Sequence, residues 1–265
     1  MHGRISRIER LTPSYLRIEL SGEGLHGFEP SPCADAYINA ALPPPGAPYE
    51  APFELDELRS LPREQRPFRR RYTVRRWLAE PRTLSLEFTV HETDGPGARW
   101  ALGARPGDAL VFTGPAGSYR PDPDAGWHLL VGDESALPAI GAALEAIPAG
   151  APVVVRALVD GPGDELELVT PGRLDLSWVH RDGGEPGPEV LADAVRAVEA
   201  PGGRVHAFVH GEAEETRAVR RHLLAERGAA LEDLSCSPYW KRGMSDEQWR
   251  EIKAAWVAEI AREAA

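Results

Sequence analysis

The chain has 265 residues, room for one large domain or two ordinary ones, and its 26 Gly and 25 Pro stay below the share that marks a low-complexity segment. With 30 basic against 41 acidic side chains the net charge is −11, so the averaged field repels phosphate backbones and acidic bilayers, and nucleic acid is not an expected partner. No apolar run reaches the roughly 18 residues of a membrane span, and residues 1–11 carry charges without the apolar stretch of a signal peptide. A cytoplasmic monomer without a membrane partner is expected.

Cys33 and Cys236 stand alone, with no C-x-x-C, and the eight histidines show no H-E-x-x-H. A zinc or iron–sulfur centre built on thiolates is therefore excluded, and no protein-held metal is expected. All but two of the basic residues are arginine, and the two lysines are Lys241 and Lys253.

In chain order, short alternating segments come first, at residues 4–8, 15–20, 72–75 and 84–90, separated by Pro and Gly clusters. They predict antiparallel strands closing into a small barrel. The run Tyr119-Arg120-Pro121-Asp122-Pro123-Asp124 reads as a linker, placing one domain at 1–122 and a second at 123–265. Beyond it, apolar strands at 128–131, 153–159, 176–179, 205–209 and 231–236 alternate with helical stretches at 135–147, 190–199 and 212–227. That order predicts an α/β domain with a mostly parallel sheet and helices on both faces. Ser245 and Gln248 have capping-box spacing and open a last helix ahead of Trp249, Ile252 and Trp256.

The densest chemistry lies between Arg66 and Arg76, where six arginines fall within eleven residues around Tyr72 and Thr73. Concentrated guanidinium beside an aromatic strand suits an anionic, planar ligand. The other reading is an edge strand protected by solvated charge. Further on, Gly95-Pro96-Gly97-Ala98 precedes a short helix whose first amides suit an anion, although Gly-Pro-Gly also makes an ordinary turn and His91 an ordinary strand end. Gly132-Asp133-Glu134-Ser135 ends a strand and opens a helix, the place where α/β sheets bind dinucleotides. The G-x-G-x-x-G fingerprint is absent, and the two acidic residues also suit a helix dipole with no ligand.

Arg70-x-Tyr72-Thr73-x-Arg75 resembles the flavin motif of the siderophore-interacting proteins, FAD-dependent members of the ferredoxin-reductase-like superfamily. Four further strings follow in that family's order. They are His91-x-x-x-Gly95-Pro96-Gly97-x-x-Trp100, Gly114-Pro115-x-Gly117-x-Tyr119, Gly132-Asp133-Glu134-Ser135-Ala136-Leu137-Pro138, and Tyr239-Trp240-Lys241-Arg242-Gly243. The resemblance implies an N-terminal antiparallel β-barrel that binds FAD, followed by an α/β domain of the NAD(P)H-binding kind. Tyr72 would lie against the isoalloxazine, Thr73 at its reactive edge and Arg70 on the phosphate; both Tyr72 and Thr73 are thereby implied as catalytic. Val74, Arg75, His91, Gly95, Pro96, Gly97, Ala98, Trp100, Tyr119, Ser135 and Trp240 are the other implied cofactor contacts. Tyr119 alternatively fills the junction between domains, and Gly211 and Glu212 sit at a strand-to-helix corner where the nicotinamide end would arrive.

Three departures from the family pattern are visible: Gly97 where Ala is usual, Pro238 where Gly is usual, and Asn39 where Lys is frequent. The function implied is reduction of a ferric siderophore in the cytoplasm, with NAD(P)H or else ferredoxin as donor. Lys241, Arg242 and Arg76 would receive the anionic chelate, with Arg75 as an alternative to Arg76. A general flavin reductase or electron-transfer component, and a non-enzymatic flavin or siderophore carrier, remain as alternatives on the same scaffold.

Overall fold

A computed structural model of the chain describes residues 1–90, 95–184 and 186–263. The chain divides into two compact units, Met1–Arg120 and Pro121–Ala265.

The first unit is a closed antiparallel barrel of six strands: β1 (His2–Thr12), β2 (Tyr15–Ser21), β3 (Tyr37–Leu42), β4 (Phe68–Leu78), β5 (Thr83–Thr89) and β6 (Ala109–Ala116). The order around it is β1-β2-β5-β4-β3-β6, with β6 returning to β1. Alternation explains the closure: Ile18, Leu20, Ile38, Leu42, Leu84, Leu86 and Phe112 point inward and are buried, while their neighbours face out. β6 lies outside the segments that alternation named. Helix α1 (Pro96–Gly103) packs Ala98, Ala101 and Trp100 against this core.

The second unit holds five parallel strands: β7 (Trp127–Asp133), β8 (Pro152–Val159), β9 (Arg173–His180), β10 (Val205–Glu212) and β11 (Leu234–Trp240), in the order β11-β10-β7-β8-β9. Every pairing is parallel, so the sheet is wholly parallel. Helices α2 (Leu137–Ala146), α3 (Val190–Arg196) and α4 (Ala213–Arg221) connect the strands, and α5 (Asp246–Arg262) ends the unit. Leu129, Val131, Val154 and Val209 bury one sheet face against Leu191, Val195 and Val219 of α3 and α4. The Ser245–Gln248 capping box forms in both directions at the start of α5.

Two expectations need correcting. Residues 231–233 form a 3-10 turn, and the last strand runs on to Trp240, so Tyr239 and Trp240 belong to β11 instead of following it. Pro238 sits inside that strand opposite Gly211; β11 is an edge strand, where a missing N–H costs no ladder bond on the outer side.

Candidate functional site

On β4, Arg70, Tyr72 and Val74 share one side of the strand, and Thr73 and Arg75 the other. Tyr72 and Val74 pack on the barrel core. The Tyr72 ring stands 4.1 Å from Phe88, whose ring is 5.5 Å from Trp100, so an aromatic ladder joins the motif strand to α1. Thr73 is buried in register with Tyr37.

Helix α1 starts at Pro96, with Gly95 as N-cap, and among the described residues no side chain caps its first amides. Such a helix start has backbone donors for an anion. Gly97 touches Tyr72 directly: a Cβ at this position would lie 2.0 Å from the phenol oxygen. Gly and Ala are therefore not interchangeable here unless the tyrosine shifts. Aromatic face, guanidinium and amide-bearing helix start together form a donor set that fits a planar group carrying a diphosphate. His91, the remaining residue of this motif, lies outside the described residues.

The neighbouring arginines are tied into the barrel. Arg17 donates to Glu87 at 2.6 Å, and Arg75 approaches the same buried carboxylate at 3.8 Å. Arg69 reaches across β3, donating to the Asn39 carbonyl at 3.1 Å and to the Thr113 hydroxyl at 2.8 Å, with Asn39 Oδ1 3.4 Å from its Nε. Asn39, which stands where Lys is frequent in the family, thus helps seat the cation of Arg69. Arg71 lies 5.3 Å over the Tyr37 ring, and Arg70 5.6 Å over Phe68.

Tyr119 is buried, and its amide donates to Asp35 Oδ1 at 2.8 Å, as does that of Ser118. A Cβ on Gly117 would meet the Ala36 Cα at 2.9 Å, so the two segments touch backbone to backbone. Burial and the Asp35 charge push the Tyr119 phenol well above its usual range.

In the second unit the carboxyl ends of β7, β10 and β11 converge on Asp133. Its Oδ1 accepts from the Ser135 amide at 2.8 Å and from the Ser135 hydroxyl; its Oδ2 accepts from the Glu212 amide at 2.9 Å and the Trp240 indole at 2.7 Å. Gly211 has φ +140° and would put a Cβ 2.9 Å from this carboxylate, which is why glycine stands there. Ser135 does not cap α2, whose N-cap is Ala136; its hydroxyl serves Asp133. Glu212 caps α4, accepting from the amides of Glu214, Glu215 and Arg242.

Lys241 pairs with Glu214, and Arg242 donates to Glu215 at 2.9 Å. Glu215 is fully buried, and its second oxygen has no hydrogen-bond partner among the described residues. Desolvation, with the charges of Asp133 and Glu212 adding to it, pushes this carboxyl up to about 8. Farther along the edge, Arg181 forms a bidentate pair with Glu134 and donates to Asp160 at 3.0 Å.

The motif residues Tyr72 and Gly97 are brought into contact between β4 and the start of α1. The motifs do not name Asp35, Glu87 or Glu215, and they leave Asp133 between a dinucleotide site and a charge favouring a helix dipole; in the structure it is the hub that orients Ser135 and Trp240. The signal for that hub was Gly211, which sits at the strand end and has room for no side chain.

Comparison with known proteins covers both units. The siderophore-interacting FAD-binding domain family matches residues 4–119, and the siderophore-interacting protein family matches residues 125–243. The ferric vibriobactin reductase ViuB of Vibrio cholerae is 36% identical over 92% of this chain and 90% of its own length. The NADPH-dependent ferric-chelate reductase of Escherichia coli is 30% identical over 84% of this chain and 86% of its own. A siderophore utilization protein from T. fusca superposes with TM-score 0.80 at 34% identity, covering 93% of this chain and 94% of that one.

Proposed function

Because the chain belongs to the siderophore-interacting protein family, we propose that it is a cytoplasmic FAD-dependent reductase that takes electrons from NAD(P)H and delivers them to the iron(III) of a siderophore. That it is an FAD-binding oxidoreductase follows from the family and from its ferric-reductase relatives. The observation carrying the finer reading is the β4 wall, where Tyr72 stands against the start of α1 through Gly97.

Bound FAD supplies the conversion between two-electron uptake and one-electron delivery. The chain's own residues hold and shield it. Arg70 and the first amides of α1 neutralise phosphate, Tyr72 covers a ring face and excludes water, and Thr73 offers a hydroxyl at the ring edge. Val74, Gly95, Pro96, Ala98 and Trp100 shape the wall behind them. Iron enters and leaves as substrate, held by the siderophore's own hard oxygen ligands, for which iron(II) is the weaker partner. Oxidation of one dinucleotide reduces two ferric chelates and releases one proton.

The exposed guanidiniums of Arg71 and Arg76 suit an anionic chelate. Lys241 and Arg242 belong to the same proposal; Glu214 answers the charge of Lys241, while Arg242 is held in place by its hydrogen bond to Glu215. The carboxyl edge of the parallel sheet, with Ser135 and Trp240 oriented there by Asp133, is the proposed place of the nicotinamide donor. The NADPH-dependent relative supports that donor class.

The visible spectrum tests the reading. The purified or FAD-reconstituted protein shows flavin absorbance, dinucleotide bleaches it without oxygen, and a ferric chelate with an iron(II) trap restores it with trapped iron accumulating. Protein that takes up no flavin on titration with FAD would overturn it.

A further inference from the structure

Resting on the reading of the sheet edge as the donor site, we infer that Glu134, through its pairing with Arg181, makes this chain favour NADH over NADPH. Ligands of parallel α/β sheets bind outside the carboxyl ends of the strands. In this sheet the ends of three adjacent strands, β7, β8 and β9, lead into Glu134, Asp160 and Arg181.

These three side chains form one polar row. Arg181 turns both terminal nitrogens to Glu134, with Nη2 2.9 Å from Oε2, and its Nη1 also donates to Asp160 at 3.0 Å. Its side chain is 13% exposed and that of Glu134 3%, so the pair is packed and the planar fork is already engaged by a carboxylate. Reading a 2′-phosphate calls for an arginine whose fork faces the ligand. Here that geometry is taken up by the protein's own anion.

Charge works in the same direction. Two carboxylates share one guanidinium, and a phosphate monoester adds close to two further negative charges. A ribose 2′-hydroxyl meets no such repulsion, and the half-exposed carboxylate of Asp160 is an acceptor for it. The expected discrimination is roughly tenfold in favour of the dinucleotide without the 2′-phosphate, the order of one partly screened charge contact. The gap narrows as salt screens the repulsion.

Calorimetric titration of the FAD-loaded protein with NAD⁺ and NADP⁺, at low and high salt, reads the affinity ratio, and stopped-flow flavin reduction by NADH and NADPH reads the same ratio in kcat/KM. Tighter NAD⁺ binding with a salt-dependent gap, and a ratio shifted about tenfold toward NADP⁺ in Glu134→Gln, support the inference. Asp160→Asn, at a half-exposed position, shifts it the same way by a smaller factor, and answers the question should Glu134→Gln fail to fold. NADP⁺ binding as tight as NAD⁺ in the wild type, or a ratio unmoved in a folded variant, overturns the inference and leaves the donor reading standing. If neither dinucleotide binds, while dithionite-reduced protein still reduces a ferric chelate, the donor reading falls with it and the reductase reading survives.

Discussion

The β4 wall of the barrel and the carboxyl edge of the parallel sheet both gather charge, but they satisfy it in different currencies. On the barrel, Arg70 and Arg71 lie over aromatic faces, a geometry that supports a guanidinium through its flat side, and Arg70 also donates to the Arg69 carbonyl at 3.1 Å. The neighbouring helix start has no side-chain cap among the described residues. At the sheet edge the carboxylates are closed on donors of the chain itself: Asp133 on four, Glu212 on three amides, Glu134 on a bidentate arginine. A resident, multiply charged cofactor suits the first arrangement, which gathers guanidinium and aromatic surface on one strand. A donor that must come and go suits the second, whose rigid rim can be read without being remade.

The largest test of that contrast is Asp133→Asn. An amide keeps one acceptor and turns its NH2 group toward donors, leaving a buried amide or indole N–H unanswered. We expect a loss of about 3 kcal/mol in urea unfolding, together with a shift of tryptophan emission as Trp240 is released. A loss below about 1 kcal/mol would mean that the hub is not holding the edge together. On the barrel side, Arg70→Ala should weaken FAD binding by roughly 10- to 100-fold, the worth of charge-assisted hydrogen bonds to phosphate. Flavin fluorescence titration of the apoprotein measures this, with a shallower salt dependence in the variant. An unchanged affinity would turn the β4 cluster into a solvated strand and erase the contrast.

What the sequence made legible was local. Tyr72 and Thr73 fall on adjacent positions of one strand, α1 follows Gly95 and Pro96, and the Ser245 box closes on Gln248, because each depends on residues within a turn or a strand of one another. What stayed hidden was non-local pairing. Trp240 and Ser135 were read as separate cofactor contacts, yet both hydrogen-bond one carboxylate, and the indole reaches it from 107 positions along the chain. Arg69 bridging Asn39 and Thr113, or Glu87 drawing in Arg17 and Arg75, likewise depends on strand register, which no linear motif displays. The end of β11 was missed for another reason. Leu231 looks like the start of a strand, but residues 231–233 turn, and Pro238 discourages a strand assignment that an edge position tolerates.

The smallest effect separates the buried groups of the sheet unit by pH. Glu215 is raised from its usual 4.5 to about 8, so the folded protein keeps a proton that the unfolded chain has lost. Its stabilisation is present below pH 4.5 and drains away as pH rises through 8, at about 1.4 kcal/mol per pH unit. His128 and His210 act in the opposite sense. Burial lowers them to about 4 and about 3 from 6.5, so the unfolded chain binds the extra protons and stability falls as pH drops below 6.5. Between 4.5 and 6.5 the lowered histidines, His206 included, outweigh the raised carboxyls Glu215 and Glu134 and stability climbs; above 6.5 the carboxyl slope remains and stability declines. Urea midpoints across this range should therefore peak near pH 6.5, and Glu215→Gln should flatten the alkaline limb while leaving the acid limb in place. A wild-type profile that is already flat on the alkaline side would show that Glu215 is ionised in the fold, with Arg242 as a full ion-pair partner, and that the sheet edge holds one more negative charge than its burial favours.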